Sequence, residues 1–436
     1  MKISKLNFMK PMRQLVGVVF MVVFLSTTHA QEKFPINLET VMQLSGANSL
    51  TVQEYQLKYQ LAVAEQAKAK EWWLPNLYAG FTTHYLSGAA MNADGRIFTD
   101  VEQNNLWAGL GISAEIDFSK GIYQTLAAKQ KVQAADYFST AEKNKAILRT
   151  IEVYFDMQNK QLKYVFLQRF VHQADTLSQQ LKIQVDAGLR YQSEYLLASS
   201  NFNHLKIEMF QAKIGWQKKS ALLSNLLNLE QQTQLISTET NLLPLALTPI
   251  LTEENTLERH PQYLGLQSEL EALKTENKTV NQGLLLPKLR IGADNGTFGR
   301  YSDNLYTTYQ VNASLLWDIP FGRFSYQGDS KKGKARVDLQ HNKVAQFKNQ
   351  YQQEITLATT EIQMAAAQIP VVKQALAFAT EAVNQSIERQ KIGTAEPFEV
   401  YQAQQFNLQA QLDYLKIISD FNKAQFALKV AKGDNL

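Results

Sequence analysis

Three landmarks recur in the same order in both halves of the chain, so whatever fold it takes must be built twice. "WWLPNLYAGF" (72–81) matches "LLLPKLRIGA" (284–293), each placing Leu-Pro after a helical stretch and before an alternating one. "ISAEIDFSKG" (112–121) matches "ASLLWDIPFG" (313–322), each ending an alternating run at an aspartate, Asp117 and Asp318. "AGLRYQSEYLLA" (187–198) matches "IGTAEPFEVYQA" (392–403), where Gly188, Glu194 and Ala198 keep the spacing of Gly393, Glu399 and Ala403. Self-similarity of this kind marks a repeated supersecondary unit. The pattern assigns 31–227 to a first repeat, 228–253 to a linking segment and 254–436 to a second repeat. Each repeat reads as a helix (38–71 and 254–282), two short alternating segments, a very long helix, a glycine-containing break and a last helix.

The alternating segments predict strands. Leu106, Ala108, Leu110, Ile112, Ala114, Ile116 and Phe118 alternate with Gly109, Gly111, Ser113, Glu115 and Asp117. In the second repeat Tyr309, Val311, Ala313, Leu315, Trp317 and Ile319 alternate with Thr308, Gln310, Asn312, Ser314 and Asp318. Leu77, Ala79, Phe81 and Tyr85, and then Leu289, Ile291 and Ala293, are weaker copies. Period two with one apolar face fits a strand wet on one side, and equally a strand of an outer-membrane barrel. A soluble two-layer domain would need an amphipathic element to cover those faces, and the only ones available are long helices that lead away.

Those helices are long because nothing interrupts them. No proline falls between Pro75 and Pro244, and no glycine between Gly121 and Gly188 or between Gly333 and Gly393. About 65 helical residues reach roughly 100 Å. In the later one Ile355, Ala358, Ile362, Ala365, Ile369, Val372, Leu376, Ala379 and Val383 step by threes and fours, a coiled-coil seam. Leu148, Ile151, Phe155, Leu162, Phe166 and Phe170 form a similar stripe in the earlier one. Pro370 is expected to kink the second seam or shift its register.

The chemistry of sites is sparse. There is no cysteine, which excludes disulfides, thiolate metal sites, cysteine nucleophiles and an acylated N-terminal cysteine. None of the histidines (His29, His84, His172, His204, His260, His341) stands in a His-x-x-x-His pair, and there is no Gly-x-Ser-x-Gly elbow. Neither an enzyme nor a cofactor or metal site is expected. "GDSKKGKA" (328–335) imitates a phosphate-binding P-loop, but Ala335 stands where a Ser or Thr hydroxyl is needed. The equivalent junction of the first repeat, "DFSKGIYQ" (117–124), has no such pattern, so the imitation is read as coincidence at a strand-to-helix corner.

The first thirty residues read as a secretory signal: Lys2, Lys5, Lys10 and Arg13, an apolar run from Leu15 to Leu25, then Thr28 and Ala30 before a cut. The chain holds 44 Lys and Arg against 40 Asp and Glu, and four of the bases fall in 1–30, which has no acid. The remainder is formally neutral, which gives no reason to expect nucleic acid. No further apolar run is long enough for a transmembrane helix. Four strands cannot close a barrel in one chain, and open edges are not tolerated in lipid, so several chains must contribute strands.

In this ordered set the chain resembles the TolC-like outer membrane efflux protein family, over 36–433. The resemblance rests on "RHPQYLGLQSELEAL", "LLLPKL", "VDAGLRYQSEYLLASSNF" and "QKIGTAEPFEVYQAQQFNL". It departs at Asn48-Ser49, where the family often has Asn-Pro. The resemblance implies a mixed, mainly α fold: an internally duplicated helical barrel of antiparallel coiled coils, with four strands per chain. In a homotrimer these strands would make a twelve-stranded barrel in the outer membrane of a Gram-negative bacterium, in contact with its lipid. It implies a channel-tunnel of a tripartite efflux pump or type I secretion system, conducting passively to the exterior. The shorter helices would stack in pairs, a mixed band near the middle would take 228–255 and the termini, and loops 88–105 and 295–304 would face outside. Gly188 and Gly393 would lie at periplasmic tips that meet a periplasmic adaptor protein through Leu189, Ser193, Thr394 and Phe398, and an inner-membrane pump only indirectly. Glu399 would face the pore, with Gln402 where the family often has a second acid, and Glu194 would face outer helix contacts. Two other classes remain open: a periplasmic coiled-coil scaffold without a pore, and a simple diffusion porin. The substrate, whether drug, metal ion or secreted protein, is not written in these residues.

Overall fold

The computed structural model describes residues 33–230, 233–245, 256–300 and 304–436. The expected signal, 1–30, lies outside them, as do parts of the linking segment 228–253. The first repeat runs β1 (Lys33–Ile36), α1 (Leu38–Asn48), α2 (Leu50–Lys70), β2 (Asn76–Met91), β3 (Ile97–Asp117), α3 (Phe118–Asp186) and α4 (Gln192–Leu226). After β4 (Gln234–Ser237) the second runs α5 (Thr256–Arg259), α6 (Pro261–Val280), β5 (Lys288–Gly299), β6 (Leu305–Leu316), α7 (Gly322–Ser325), α8 (Gly328–Lys391) and α9 (Pro397–Lys432). The chain is mainly helical, and α3 and α8 hold 69 and 64 residues.

Several details differ from the sequence reading. The single helix expected over 38–71 is two, parted at Ser49, whose extended backbone ends α1 and opens α2. The loop expected over 88–105 is mostly ladder: β2 and β3 stay paired up to Met91 and Ile97, and only 92–96 turns. Asn92 closes that turn by accepting from the Arg96 amide at 2.8 Å through its side chain. Polar residues such as Glu102 and Gln103 mask the strand signal there, yet their backbones pair with Ser87 and Leu86. Likewise β5 continues to Gly299, inside the expected loop 295–304. The P-loop imitation lies in the first turns of α8, with Gly333 where an added Cβ would collide with Asn277 of α6. The glycine serves helix contact there. Pro370 sits inside α8 without ending it.

β2, β3, β5 and β6 form one antiparallel sheet in that order. The helices keep the same lateral order: near the sheet α2, α3, α6 and α8, and away from it α4, α3, α9 and α8. Each level is therefore four elements wide, with α2, β2 and α4 at one margin and α8 and β6 at the other. On the α9 side of α8, Ala358, Ile362 and Ala365 of the expected seam are buried against Phe421, Ala424 and Leu428.

The main core lies midway along α3, where Ile151, Tyr154, Phe155 and Met157 meet Trp216, Leu223, Leu235, Leu415 and Ile418. It holds the small parallel pair β1–β4. Two four-residue strands are too short to stand alone. Side chains fix them: Leu235 donates to Ser220 Oγ at 2.7 Å, and Trp216 Nε1 donates to the Leu235 carbonyl at 3.2 Å. Asp156 ties three helices, accepting from Lys219 of α4 at 2.6 Å and Lys423 of α9 at 3.0 Å. Burial opposes its charge, but the two ammonium groups outweigh burial and hold the carboxyl below its usual range.

His260 caps α6, its Nδ1 accepting from the Gln262 amide at 3.1 Å. Burial, aided by Lys145, pushes its pKa down to about 4. The unfolded chain takes up this proton near pH 6.5 and the folded chain only near 4, so stability is full above 6.5 and falls as pH drops through that window. Replacing His260 with Asn keeps a capping oxygen and should flatten the loss of thermal stability between pH 6.5 and 4, measured as Tm against pH. An unchanged slope would remove His260 as its source.

Candidate functional site: sheet faces and helical tips

Directly opposed residues of paired strands point to one face, so the register sorts the sheet. One face carries Leu77–Ile112–Ala293–Val311 and Ala79–Leu110–Asn295–Tyr309 as rows across all four strands. Phe81–Ala108–Thr297–Thr307 lies beyond them, and Ala114–Ile291–Ala313 and Ile116–Leu289–Leu315 lie toward the helices. Leu77, Phe81, Leu110, Tyr309 and Val311 are exposed, and no described helix packs on this face. From Ile116 to Leu106 is about 34 Å of strand at 3.4 Å per residue. Tilted by some 40°, that makes a band about 26 Å tall, the height of the apolar band of an outer-membrane barrel.

The opposite face is polar toward the helices. Its rows are Glu115–Arg290–Ser314, Asn76–Ser113–Gly292–Asn312 and Tyr78–Gly111–Asp294–Gln310. Glu115 pairs with Arg290 at 3.1 Å. At the corner, Lys288 lies 3.7 Å from Asp117 and 3.2 Å from Asp318. The two duplicated aspartates thus converge on the lysine of "LLLPKL".

At the far end from the sheet, Gly188 and Gly393 end α3 and α8 with φ of +74° and +79°. The amides beyond each turn back: Leu189 N to Gln184 O at 2.8 Å, and Thr394 N to Arg389 O at 2.9 Å. This is a glycine C-cap in the left-handed region. Leu189, Ser193, Thr394 and Phe398 are exposed around the two turns, and Gln402 is exposed one turn into α9. Buried Val400 of α9 packs on Leu177 and Leu181 of α3, which brings the two tips together.

Both candidate acids have an arginine that the sequence reading missed. Arg389 bonds Glu399 and also donates to the Thr394 carbonyl at 3.3 Å. Arg190 lies 3.6 Å from Glu194. Arg389 precedes its glycine and Arg190 follows its own, so the duplication carried no signal for them. A second missed feature is on α8, where Leu357, Met364, Val371 and Phe378 recur every seventh residue and are all exposed. This stripe was readable as a heptad. On α4, Ile207, Phe210 and Ile214 are exposed likewise. Among the described residues no group of acids and histidines is placed to hold a metal, and no helix is long and apolar enough to cross a membrane.

A mainly helical, twofold-repeated chain that carries a two-faced four-stranded sheet at one end has the fold of bacterial outer-membrane channels. The CmeC outer membrane channel of Campylobacter jejuni superposes with a TM-score of 0.80 at 18% identity, over 91% of this chain and 85% of that one. A membrane protein from Pseudomonas aeruginosa gives 0.79 at 16%, over 91% and 90%. The outer membrane protein VceC of Vibrio cholerae gives 0.76 at 16%, over 91% and 96%. No protein-family model and no curated protein matches the chain. The resemblance read from the motifs is therefore present in the fold.

Because φ is positive at both tips, Gly188→Ala and Gly393→Ala should each cost about 1–2 kcal/mol. Hydrogen exchange of the amides at 184–195 and 389–400 should rise in the respective variant and leave the α3 core unchanged. Equal exchange in variant and wild type would show that the turns do not need glycine.

Proposed function

We propose that three copies of this chain close into an outer-membrane exit channel of an efflux pump or type I secretion system. Its strands would form a twelve-stranded barrel in lipid and its helices a conduit through the periplasm, with substrates passing passively. The observation that carries this reading is the agreement of the margins: the sheet and both helical levels are open on the same two sides. β2 and β6 run in opposite directions, so the margins of successive copies meet antiparallel, whatever the copy number. Two copies would give eight strands, an interior that side chains fill, whereas twelve leave a lumen. The apolar stripe of α8 then faces that of α4 in the next copy. A scaffold without a pore would leave the apolar sheet face bare.

On this reading the exposed tip residues Leu189, Ser193, Thr394 and Phe398 meet a periplasmic adaptor, and the inner-membrane pump acts through it. Placing the apolar rows in lipid makes a sharp test. Leu110→Arg should cost about 2–4 kcal/mol near mid-bilayer and Ala313→Arg, one row from the helix end of the band, less, while Ser113→Lys and Asn312→Lys on the other face are tolerated. The measurement is the yield of membrane-assembled, heat-dissociable oligomer. Equal damage from both faces would overturn the barrel.

Glu399 would form a ring at the narrow end of the pore, partly neutralised by Arg389 and without a second acid at Gln402. Focused charge at a constriction sets ion preference. Glu399→Gln should lower a modest cation selectivity and Arg389→Gln should raise it, read as reversal potential in planar bilayers at low salt. Unchanged potentials in both would take Glu399 out of the pore and leave it as a residue of the α9 start, favoured there by the helix dipole.

A further inference from the structure

The non-lipid face of the sheet changes character toward its outer end. Above the polar rows comes Gly80–Gly109–Gly296–Thr308, and above that Thr82–Trp107–Phe298–Tyr306. Three aromatic residues thus sit side by side on the face that alternation otherwise keeps polar. Gly109 makes room for a ring to lie down: the Trp107 ring carbon Cζ2 lies 2.9 Å from where a Cβ on Gly109 would stand. Tyr78 likewise covers Gly111 and donates its hydroxyl to Asp294. A ring lying flat on the wall presents its negative face, and that face attracts cations. The other acids of this wall, Glu115 and Asp117, are paired with Arg290 and Lys288. Asp294 has no cation partner among the described residues, only the Tyr78 hydroxyl.

We propose that Trp107, Phe298 and Tyr306, with Asp294 two rows below Phe298 on the same strand, form a binding ring for lipophilic organic cations at the outward end of the lumen. This rests on the channel reading, which makes the non-lipid face the lumen. In three copies the ring holds nine aromatic side chains. A twelve-stranded barrel is about 24 Å across between backbones, so side chains reaching inward narrow the path to the scale of a drug-sized molecule. Cargo with a delocalised positive charge would stack on the ring as it leaves, whereas an anion of the same shape would not.

The test is ionic current through the assembled channel in planar bilayers, with tetraphenylphosphonium or its anionic counterpart tetraphenylborate added on the side of the 92–96 turn. Wild type should be blocked by the phosphonium and not by the borate. Trp107→Leu, Phe298→Leu and Tyr306→Leu keep apolar bulk but lose the ring, and each should weaken the block by about tenfold, since three rings are lost at once. Trp107→Phe and Tyr306→Phe should retain it, and Asp294→Asn should weaken it. Block that is the same in wild type and the Leu variants, or the same for both ions, overturns the ring. A wild type that conducts without block overturns the ring alone. A wild type that inserts and conducts nothing overturns the channel reading and the ring with it.

Discussion

The structure depends on one unmet requirement: the backbone groups at the outer edges of β2 and β6 pair with no other strand among the described residues. In water an open edge is a hazard for aggregation. In hydrocarbon it is untenable, because nothing else can hydrogen-bond those amides and carbonyls. The apolar rows on one face of the sheet require lipid or a covering layer, and no described helix supplies the layer. Closure with further copies in a bilayer, as proposed above, would meet both demands together. The helical levels are organised around the same need, for they place their uncovered apolar side chains on the margins: Leu57 and Leu61 on α2, Phe210 on α4, and the heptad stripe on α8. Helices away from the margins are nearly free of them. α6 exposes no large apolar side chain, α9 only Phe398 and Phe406, and the 69-residue α3 only Ile122, Leu126 and Ile183.

The duplicated elements of the fold were legible in the sequence because each is enforced by a local rule. Period two predicts β3 and β6, the long runs without glycine predict α3 and α8, and a lone glycine after a long helix predicts each tip. What was not legible depended on partners far along the chain. β1 and β4 are four residues each and exist because Ser220, Trp216 and Tyr154 hold them. The outer parts of β2 and β3 carry Glu102, Gln103, Asn104 and Asn105, polar on both faces, so their pairing leaves no alternation to read. At the tips the glycines and acids were visible through the repeat, while Arg190 and Arg389 sit at unlike places in the two copies. The inner row Trp107–Phe298–Tyr306 joins three strands and two repeats, and only the register brings it together.

The repeats also diverge where strand becomes helix. In the first, Asp117 ends β3 and caps α3 at once, accepting from the Lys120 amide at 3.0 Å. In the second, 317–327 intervene between β6 and α8, carry the short α7, and leave Phe321, Phe324 and Tyr326 exposed. Gln327, with φ of +54°, re-aims the chain into α8. The extra length lies on the margin element, the one whose outer neighbour would, in the proposed assembly, belong to another copy.

A mismatch of spacing gives that length a purpose. Strands about 4.8 Å apart and tilted by some 40° occupy about 6 Å of circumference each, so four take roughly 25 Å. Four packed helices, 8–10 Å between axes, take roughly 32–40 Å. The same chain must therefore widen by about a quarter or more as it passes from sheet to helices. The widening cannot fall within a strand or a helix, whose hydrogen bonds fix their geometry, so it falls on the corners. There the chain places Leu74-Pro75 and Leu286-Pro287, short single-turn helices at Glu71–Trp73 and Gln282–Leu285, and Pro320. Lys288 bridges Asp117 and Asp318 at the narrow end of this flare, holding the strand ends together where the helices part. The displacement accumulates across the four elements and is greatest at a margin, which is where the eleven-residue junction stands. The corner residues that the two repeats share follow from the common step between strand and helix, and those they do not share follow from position at a margin of the four elements.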